Sequence, residues 1–189
     1  MSNFFGHKTV VITGASAGVG AACARAFAEQ KAKLVLVARG EAGLQVIADE
    51  LRSQCEILTV AMDVASNEDC LTLLEKAEYT FGAVHVIINN AGMHCRGDLE
   101  KIAPKDVAAM VDVNLRAPLL LSCAAIPYLR RAGFGGIVNV GSLAGRAPLQ
   151  GAATYSATKA GLRAFSLALA DELRDSGIVV GLVSPGPID

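Results

Sequence analysis

The sequence predicts a doubly wound α/β sheet, and three observations carry that prediction. Six short runs rich in β-branched residues recur along the chain, longer helix-like segments separate them, and a glycine-rich turn joins the first run to the first helix. Most of the runs are apolar on both faces, as strands are when helices cover a parallel sheet on both sides. Strand and helix in regular alternation also imply right-handed crossovers. The 189 residues fit one domain, residues 1–189, large enough to bury a substantial core.

Taken in order, the strand candidates are residues 9–13, 34–38, 57–61, 84–89, 136–140 and 179–183. The helix candidates between them are residues 18–30, 41–53, 67–81, 104–131 and 151–176. In the last of these, Leu162, Phe165, Leu169 and Leu173 recur at helical spacing, and Gly177 is placed to end the helix. The segment 104–131 carries an internal conflict. Asn114 is a mediocre helix former, and Pro118, four residues on, lacks the N–H that would bond the Asn114 carbonyl. A freed carbonyl at Asn114 and a local kink are expected there.

Composition narrows the classes of function. Hydrophobic residues make up 52% of the chain, charged residues 19%, and the formal net charge is -1. That balance gives no electrostatic footprint for nucleic acid or an anionic membrane. No stretch reads as a transmembrane helix, since the uncharged run 9–24 is broken by Gly14, Gly18 and Gly20. The N-terminus lacks a basic region followed by an apolar one, so no secretory signal is evident. Cys23, Cys55, Cys70, Cys95 and Cys123 are odd in number and scattered, which reads as a reduced, cytoplasmic protein without a disulfide scaffold or zinc site. His7 and His85 precede strands and lack ligand spacing, so no metal is expected.

Four local patterns carry chemistry. Thr13-Gly14-Ala15-Ser16-Ala17-Gly18-Val19-Gly20 follows the first strand and opens the first helix. Glycines there allow a tight turn and the close approach of a pyrophosphate, to which the helix N-terminus offers amide donors. The same glycines also suit plain strand-to-helix geometry. At the end of the second strand stands Arg39, with no acidic residue beside it. An acid at that point would accept from a ribose 2′-OH, whereas an Arg pairs with a 2′-phosphate, so NADP (as NADPH) is expected over NAD. A solvated Arg after a strand is the plainer alternative. Asp63, ending the third strand, is suited to an adenine amino group, to a helix cap or to a turn.

The remaining two patterns are the turn Asn89-Asn90-Ala91-Gly92 and the pentad Tyr155-Ser156-Ala157-Thr158-Lys159. Positions i and i+4 share a helix face, so the Tyr155 hydroxyl and Lys159 ammonium are expected to be neighbours. An ammonium beside a phenol favours the phenolate and lowers a Tyr pKa from its reference of about 10, toward the range a general acid or base needs. Ser142 lies thirteen residues upstream of Tyr155 in a glycine-rich stretch. A loop serine satisfying local backbone would look the same.

The ordered set TGASAGVG, Asp63-Val64, NNAG, Asn114, Ser142, YSATK and Ser184-Pro185-Gly186 resembles the short-chain dehydrogenase/reductase family in its non-extended branch, over nearly the whole chain. The resemblance implies a Rossmann-like, mostly parallel sheet and an NAD(P)-dependent oxidoreductase acting on a small-molecule carbonyl or secondary alcohol. It implies that Tyr155 is the general acid/base and that Ser142 orients the substrate oxygen. Lys159 would tune Tyr155 and bind the nicotinamide ribose. The Asn114 carbonyl would hold a water that completes a proton relay. Contacts to the cofactor are implied for Gly14, Ser16, Ala17, Gly18, Val19, Gly20, Arg39, Asp63, Val64, Asn90, Ala91, Gly92, Tyr155, Lys159, Pro185, Gly186 and Ile188.

Further expectations follow from the same resemblance. Family members usually continue past Ser184-Pro185-Gly186, so a C-terminal part is expected to be missing, by trimming or truncation, with a natively short chain as the alternative. The sixth strand would then be an exposed edge and the substrate-side lid would be absent. A homodimer or homotetramer paired through the two long helices is expected, since Ala152, Ala153, Ala157, Ala160, Gly161, Ala164 and Ala168 allow close approach. His94, Cys95 and Arg96 follow the NNAG turn and read either as loop residues or as substrate contacts. The competing function is a dinucleotide-binding regulatory or scaffold module without turnover, which has no need of Asn114, Ser142, Tyr155 and Lys159 together. Dehydration or epimerisation on the same scaffold is a third, disfavoured by the glycine spacing.

Overall fold

The structure, a computed structural model, describes residues 3–187. Six parallel strands, β1 (Thr9–Thr13), β2 (Lys33–Ala38), β3 (Ile57–Ala61), β4 (Val86–Asn89), β5 (Gly135–Val140) and β6 (Ile178–Val183), form one sheet in the order β3-β2-β1-β4-β5-β6. The helices are α1 (Gly18–Glu29), α2 (Glu41–Leu51), α3 (Asn67–Phe81), α4 (Pro104–Val111), α5 (Ala117–Arg131) and α6 (Ala153–Glu172). Strand order reverses between β1 and β4, which leaves a crevice above their carboxyl ends. In open α/β sheets ligands bind at such a point.

Period-two alternation sorts the strand residues between two cores. Val10, Ile12, Leu34 and Leu36 point to the face covered by α1 and α2, where they meet Ala21, Ala24, Leu44 and Ile47. Val11, Val35, Val37 and Ile87 point to the other face, against Leu73 and Leu74 of α3, Leu121 and Leu129 of α5, and Leu169 of α6. Every residue of β1 is buried, so the polar Thr13 at its end is held inside the fold. The sixth strand is an edge, with Val179 and Val183 exposed.

The bounds of β1, β3 and α3 match the sequence expectation, those of β2, β4, β5, β6, α1, α2 and α6 differ by one to four residues, and local chemistry explains two cases. β4 begins at Val86 because the His85 Nδ1 accepts the Thr9 N–H at 3.0 Å. Burial, aided by Lys8, pushes His85 below its ordinary pKa, which keeps that nitrogen an acceptor. Helix α6 stops at Glu172, and the Ser176 hydroxyl donates to the Leu173 carbonyl before Gly177 turns the chain at φ 76°.

The 104–131 segment is one long rod, but its middle is a π-turn, Asp112–Arg116, in which the Ala117 N–H reaches back to the Asp112 carbonyl. The kink expected from Pro118 takes this form. A Pro ring in α register collides with the carbonyl four residues back and cannot donate to it; the wider turn relieves both. Arg116 fixes the turn, donating to Asp112 Oδ1 at 2.8 Å and to the Ala65 carbonyl at 2.7 Å. By length and composition alone this rod is apolar enough to cross a membrane, which corrects the expectation that no stretch would read as a transmembrane helix. Part of its apolar surface is buried where α5 packs Leu121, Ala125 and Leu129 against the sheet.

Side chains also cross-link the sheet to its helices. Asn89 Nδ2 donates to Asn139 Oδ1 at 2.8 Å and to Ser122 Oγ at 3.1 Å, and Asn139 Nδ2 donates to Ser166 Oγ at 2.9 Å. All four residues are buried, and satisfied networks of this kind specify one packing of strands and helices. Two strands whose ends carry site residues, β4 and β5, are thereby tied to α5 and α6.

Candidate active site

Two adjoining cavities open at the carboxyl ends of the strands. The larger, of about 480 Å³, is lined by Gly14, Ser16, Ala17, Gly18, Arg39, Asp63, Val64, Asn90, Ala91 and Gly92, among others. The smaller, of about 250 Å³, is lined by Ser142, Tyr155, Lys159, His94, Pro185 and Gly186, and both share Asn90, Gly92 and Met93. Seventeen candidate cofactor residues were named from sequence, and all but three of them (Val19, Gly20 and Ile188) line one cavity or the other. Val19 and Gly20 sit in the first turn of α1, and Ile188 lies outside the described residues.

The glycine turn is built by backbone contact. A Cβ on Gly14, whose φ is +66°, would sit 2.9 Å from the Ala91 Cα, and one on Gly20 would run into the Gly14 carbonyl. A Cβ on Gly18 would meet nothing and would project into open space. The N-cap of α1, Ala17, supplies no side-chain cap, and the first turn carries no acid. The first-turn amides therefore keep their donors for an anion. Thr13 and Asn90 lock this turn to the NNAG turn. The Thr13 hydroxyl accepts the N–H groups of Asn90 and Ala91, both at 3.0 Å, while Asn90 Nδ2 donates to the Thr13 carbonyl at 2.9 Å.

Arg39 is exposed at the rim of the larger cavity. Asp63 shapes a turn: its Oδ1 accepts the Ala65 N–H at 3.0 Å, and Ser66, not Asp63, precedes α3 as its cap residue. Val64 is buried beneath it, its carbonyl facing the Cys70 thiol at 3.7 Å.

In the smaller cavity, Lys159 is the buried cation. Its side chain is buried, residue exposure being 5%, and Nζ donates to the Val140 carbonyl at 2.7 Å. Burial pulls its pKa down from 10.5 to about 8. The Nζ lies 5.8 Å from the centre of the Tyr155 ring, so the helical spacing does bring the two together. Tyr155 is half-buried in the first turn of α6. Ser142 precedes the short 3-10 turn Leu143–Gly145, and its Oγ accepts the Ala144 N–H at 3.1 Å. That bond occupies a lone pair and leaves the hydroxyl proton for another acceptor. The turn can approach α6 because position 145 is glycine: a Cβ there would lie 2.7 Å from the Lys159 carbonyl. On its other side the turn is held by the Leu143 N–H, which donates to the Pro185 carbonyl at 3.0 Å.

Asn114 is tied into the site through its side chain. Buried at the π-turn, its Oδ1 accepts the Met93 N–H and its Nδ2 donates to the Met93 carbonyl, both at 2.8 Å. Nδ2 also lies 3.4 Å from Thr158 Oγ1, which donates to the Tyr155 carbonyl at 2.7 Å. A continuous set of bonds thus runs from the NNAG turn to the turn of helix bearing Tyr155. Gly92 passes between the two, its ideal Cβ 3.4 Å from Asn114 Oδ1 and 3.8 Å from Lys159 Nζ.

Several contributors escaped the sequence reading. Thr13, a polar residue ending a fully buried strand, carried a visible signal. Gly145 and Thr158 carried none, and His94 was left between two readings. In the fold the His94 ring sits against the Tyr155 ring with centroids 4.3 Å apart. Cys95 and Arg96 follow it and line neither cavity.

A nucleotide-sized crevice at the sheet's reversal point, joined to a polar cleft with a Tyr and a buried Lys, defines a class of dinucleotide-linked enzymes. The chain belongs to the short-chain dehydrogenase family, whose sequence profile matches residues 8–189. An uncharacterized oxidoreductase of Staphylococcus epidermidis is 34% identical over 183 residues, covering 97% of this chain and 79% of the relative. Another, from Staphylococcus aureus, is 34% identical over 182 residues, covering 96% and 78%. A metagenomic short-chain oxidoreductase solved in complex with NADP superposes with a TM-score of 0.92 at 34% identity, over 99% of this chain and 85% of that one. A short-chain dehydrogenase from Streptomyces avermitilis superposes with a TM-score of 0.90 at 31% identity, over 96% and 66%.

Proposed function

We propose that this chain is an NADP-dependent oxidoreductase that moves a hydride between a nicotinamide ring and the carbon of a ketone, aldehyde or secondary alcohol. The observation that carries the proposal is the placing of Ser142, Tyr155 and Lys159 around one cleft that shares Asn90, Gly92 and Met93 with the glycine-turn cavity. The residues present fit a dinucleotide: the open space at Gly18 and the uncapped start of α1 suit a pyrophosphate. Arg39 at the rim suits a 2′-phosphate, and the solved relative that holds NADP supports that choice over NAD.

When bound, the dinucleotide supplies or accepts the hydride. In the reducing direction Tyr155 gives its hydroxyl proton to the substrate oxygen, and in the oxidising direction it takes that proton back. Ser142 donates its free hydroxyl proton to the same oxygen, fixing its position and stabilising charge that develops there. Lys159, with a pKa of about 8, carries its charge at neutral pH yet releases a proton close to it, which suits a relay group. The Asn114 carbonyl, which Pro118 cannot engage, is the next station toward solvent. Pairing of copies through α4, α5 and α6 is part of the same reading, supported by the exposed Val111, Leu120 and Leu167 on those helices, and a cytoplasmic location is the setting proposed for it.

Tyr155→Phe tests the assignment. NADPH oxidation against a panel of carbonyls should fall to background, while calorimetry finds cofactor affinity within about twofold of the parent, since the lost hydroxyl serves the substrate. Turnover by Tyr155→Phe at the parent rate would refute the role. NADPH binding by the parent without oxidation of any panel member would leave a dinucleotide-binding module instead.

A further inference from the structure

We propose that His94 is a positioning residue for the Tyr155 phenol, its imidazole forming the wall against which that ring rests; the inference builds on the role proposed for Tyr155. The two rings meet with centroids 4.3 Å apart and planes inclined at 53°, and both line the cleft that holds Ser142 and Lys159. Such a contact is closer than most aromatic pairs, and aromatic pairs confer orientation beyond their buried area.

The stack is held from both ends of the loop that carries it. Immediately before His94, both backbone groups of Met93 are bonded to the Asn114 side chain at 2.8 Å. Three residues after it, the Gly97 N–H donates to the Gly151 carbonyl at 2.9 Å, which ties the loop to the segment leading into α6. The imidazole is exposed, and the anchored backbone on either side holds its Cα where the ring meets Tyr155. Tyr155 needs that restraint. It stands in the first turn of α6, and its backbone is braced through Thr158 while its ring reaches into an open cleft. Without the wall the phenol has more rotamers to sample, and a proton donor displaced by even an ångström loses rate.

The test uses the full chain labelled with 3-fluorotyrosine, in which only Tyr79, Tyr128 and Tyr155 report, each assigned by its Phe variant. In His94→Ala the Tyr155 fluorine resonance should move or broaden while the Tyr79 and Tyr128 resonances stay in place. The same variant should lose roughly 2- to 10-fold in kcat, the range expected for one aromatic pair, with KM for NADPH unchanged. His94→Phe, which keeps a ring and removes both nitrogens, should bring the resonance and kcat back toward the parent. An unmoved Tyr155 resonance in His94→Ala, or parent kcat in that variant, overturns the proposal. So does a His94→Phe variant no better than His94→Ala, since a polar task would then explain the loss. The fluorine readout needs no turnover, and retained activity in Tyr155→Phe would strike the proposed function while leaving the packing result standing.

Discussion

Lys159 is the one buried cation in the cleft, and its burial makes a stability experiment as informative as a kinetic one. A pKa drawn from 10.5 down to about 8 means that the fold disfavours the ammonium by about 3 kcal/mol relative to the unfolded chain. The direction follows from the protons bound. Between those two values the unfolded chain holds more protons at this site than the native one, so stability rises with pH across the window. The contribution is complete above about 10.5 and is lost as pH falls through about 8.

Lys159→Met removes the amine and keeps an unbranched chain of similar length. At pH 7 the variant escapes the burial cost but gives up the charge-assisted bond to the Val140 carbonyl, worth about 1.5–3 kcal/mol. The two nearly offset, so its stability at pH 7 should equal or slightly exceed the parent's. The decisive quantity is the difference between parent and variant, measured by urea unfolding at several pH values from 7 to 9.5, in which the titrations of all other groups cancel. That difference should move in favour of the parent by about 2 kcal/mol between pH 7 and 9.5. A flat difference would mean that Lys159 titrates near its ordinary value, and the relay assigned to it would lose its physical basis. Enzymatic activity should vanish in the variant at every pH.

Other predictions test the cofactor side and the braces behind the site. Arg39→Asp should weaken NADPH binding about 10- to 100-fold, the value of a charged hydrogen bond, while NADH binding holds or improves; calorimetry with both cofactors checks it. Gly18→Ala and Gly20→Ala should separate cleanly. The first has open space and only a positive φ against it, so it should fold, at a cost of about 1–2 kcal/mol, and lose cofactor affinity as its methyl enters the cavity. The second drives a methyl into the Gly14 carbonyl and should lose several kcal/mol in urea unfolding, or fail to fold. Asn114→Ala leaves both backbone groups of Met93 without partners and should cost about 2–4 kcal/mol, with kcat falling while chain topology, followed by far-ultraviolet dichroism, is kept.

What the sequence made legible follows from the range over which its patterns act. A strand that is apolar on both faces can only be covered on both sides, so the sheet and its covering helices were readable from residues 9–13 and their successors. The pairing of Tyr155 with Lys159 was readable for a similar reason, since a phenol and an ammonium at helical spacing share a face wherever the helix is placed, whereas Ser142 was read through the family resemblance. The conflict between Asn114 and Pro118 was local as well, and the π-turn resolves it by relaxing four-residue register just before the proline. The contacts that brace these groups were not local. Met93 meets Asn114 across 21 residues, Asn114 meets Thr158 across 44, and the Thr13 hydroxyl meets Ala91 across 78. No periodicity encodes such pairs, because each joins the ends of different strands or helices that become neighbours only when the sheet order is set. His94 belongs to the same group, since its partner ring lies on a helix that begins some sixty residues later. The division is physical. Which reactive groups exist is written in single residues, while how tightly each is held is written in the topology, and the rate of a proton transfer depends on the second as much as the first.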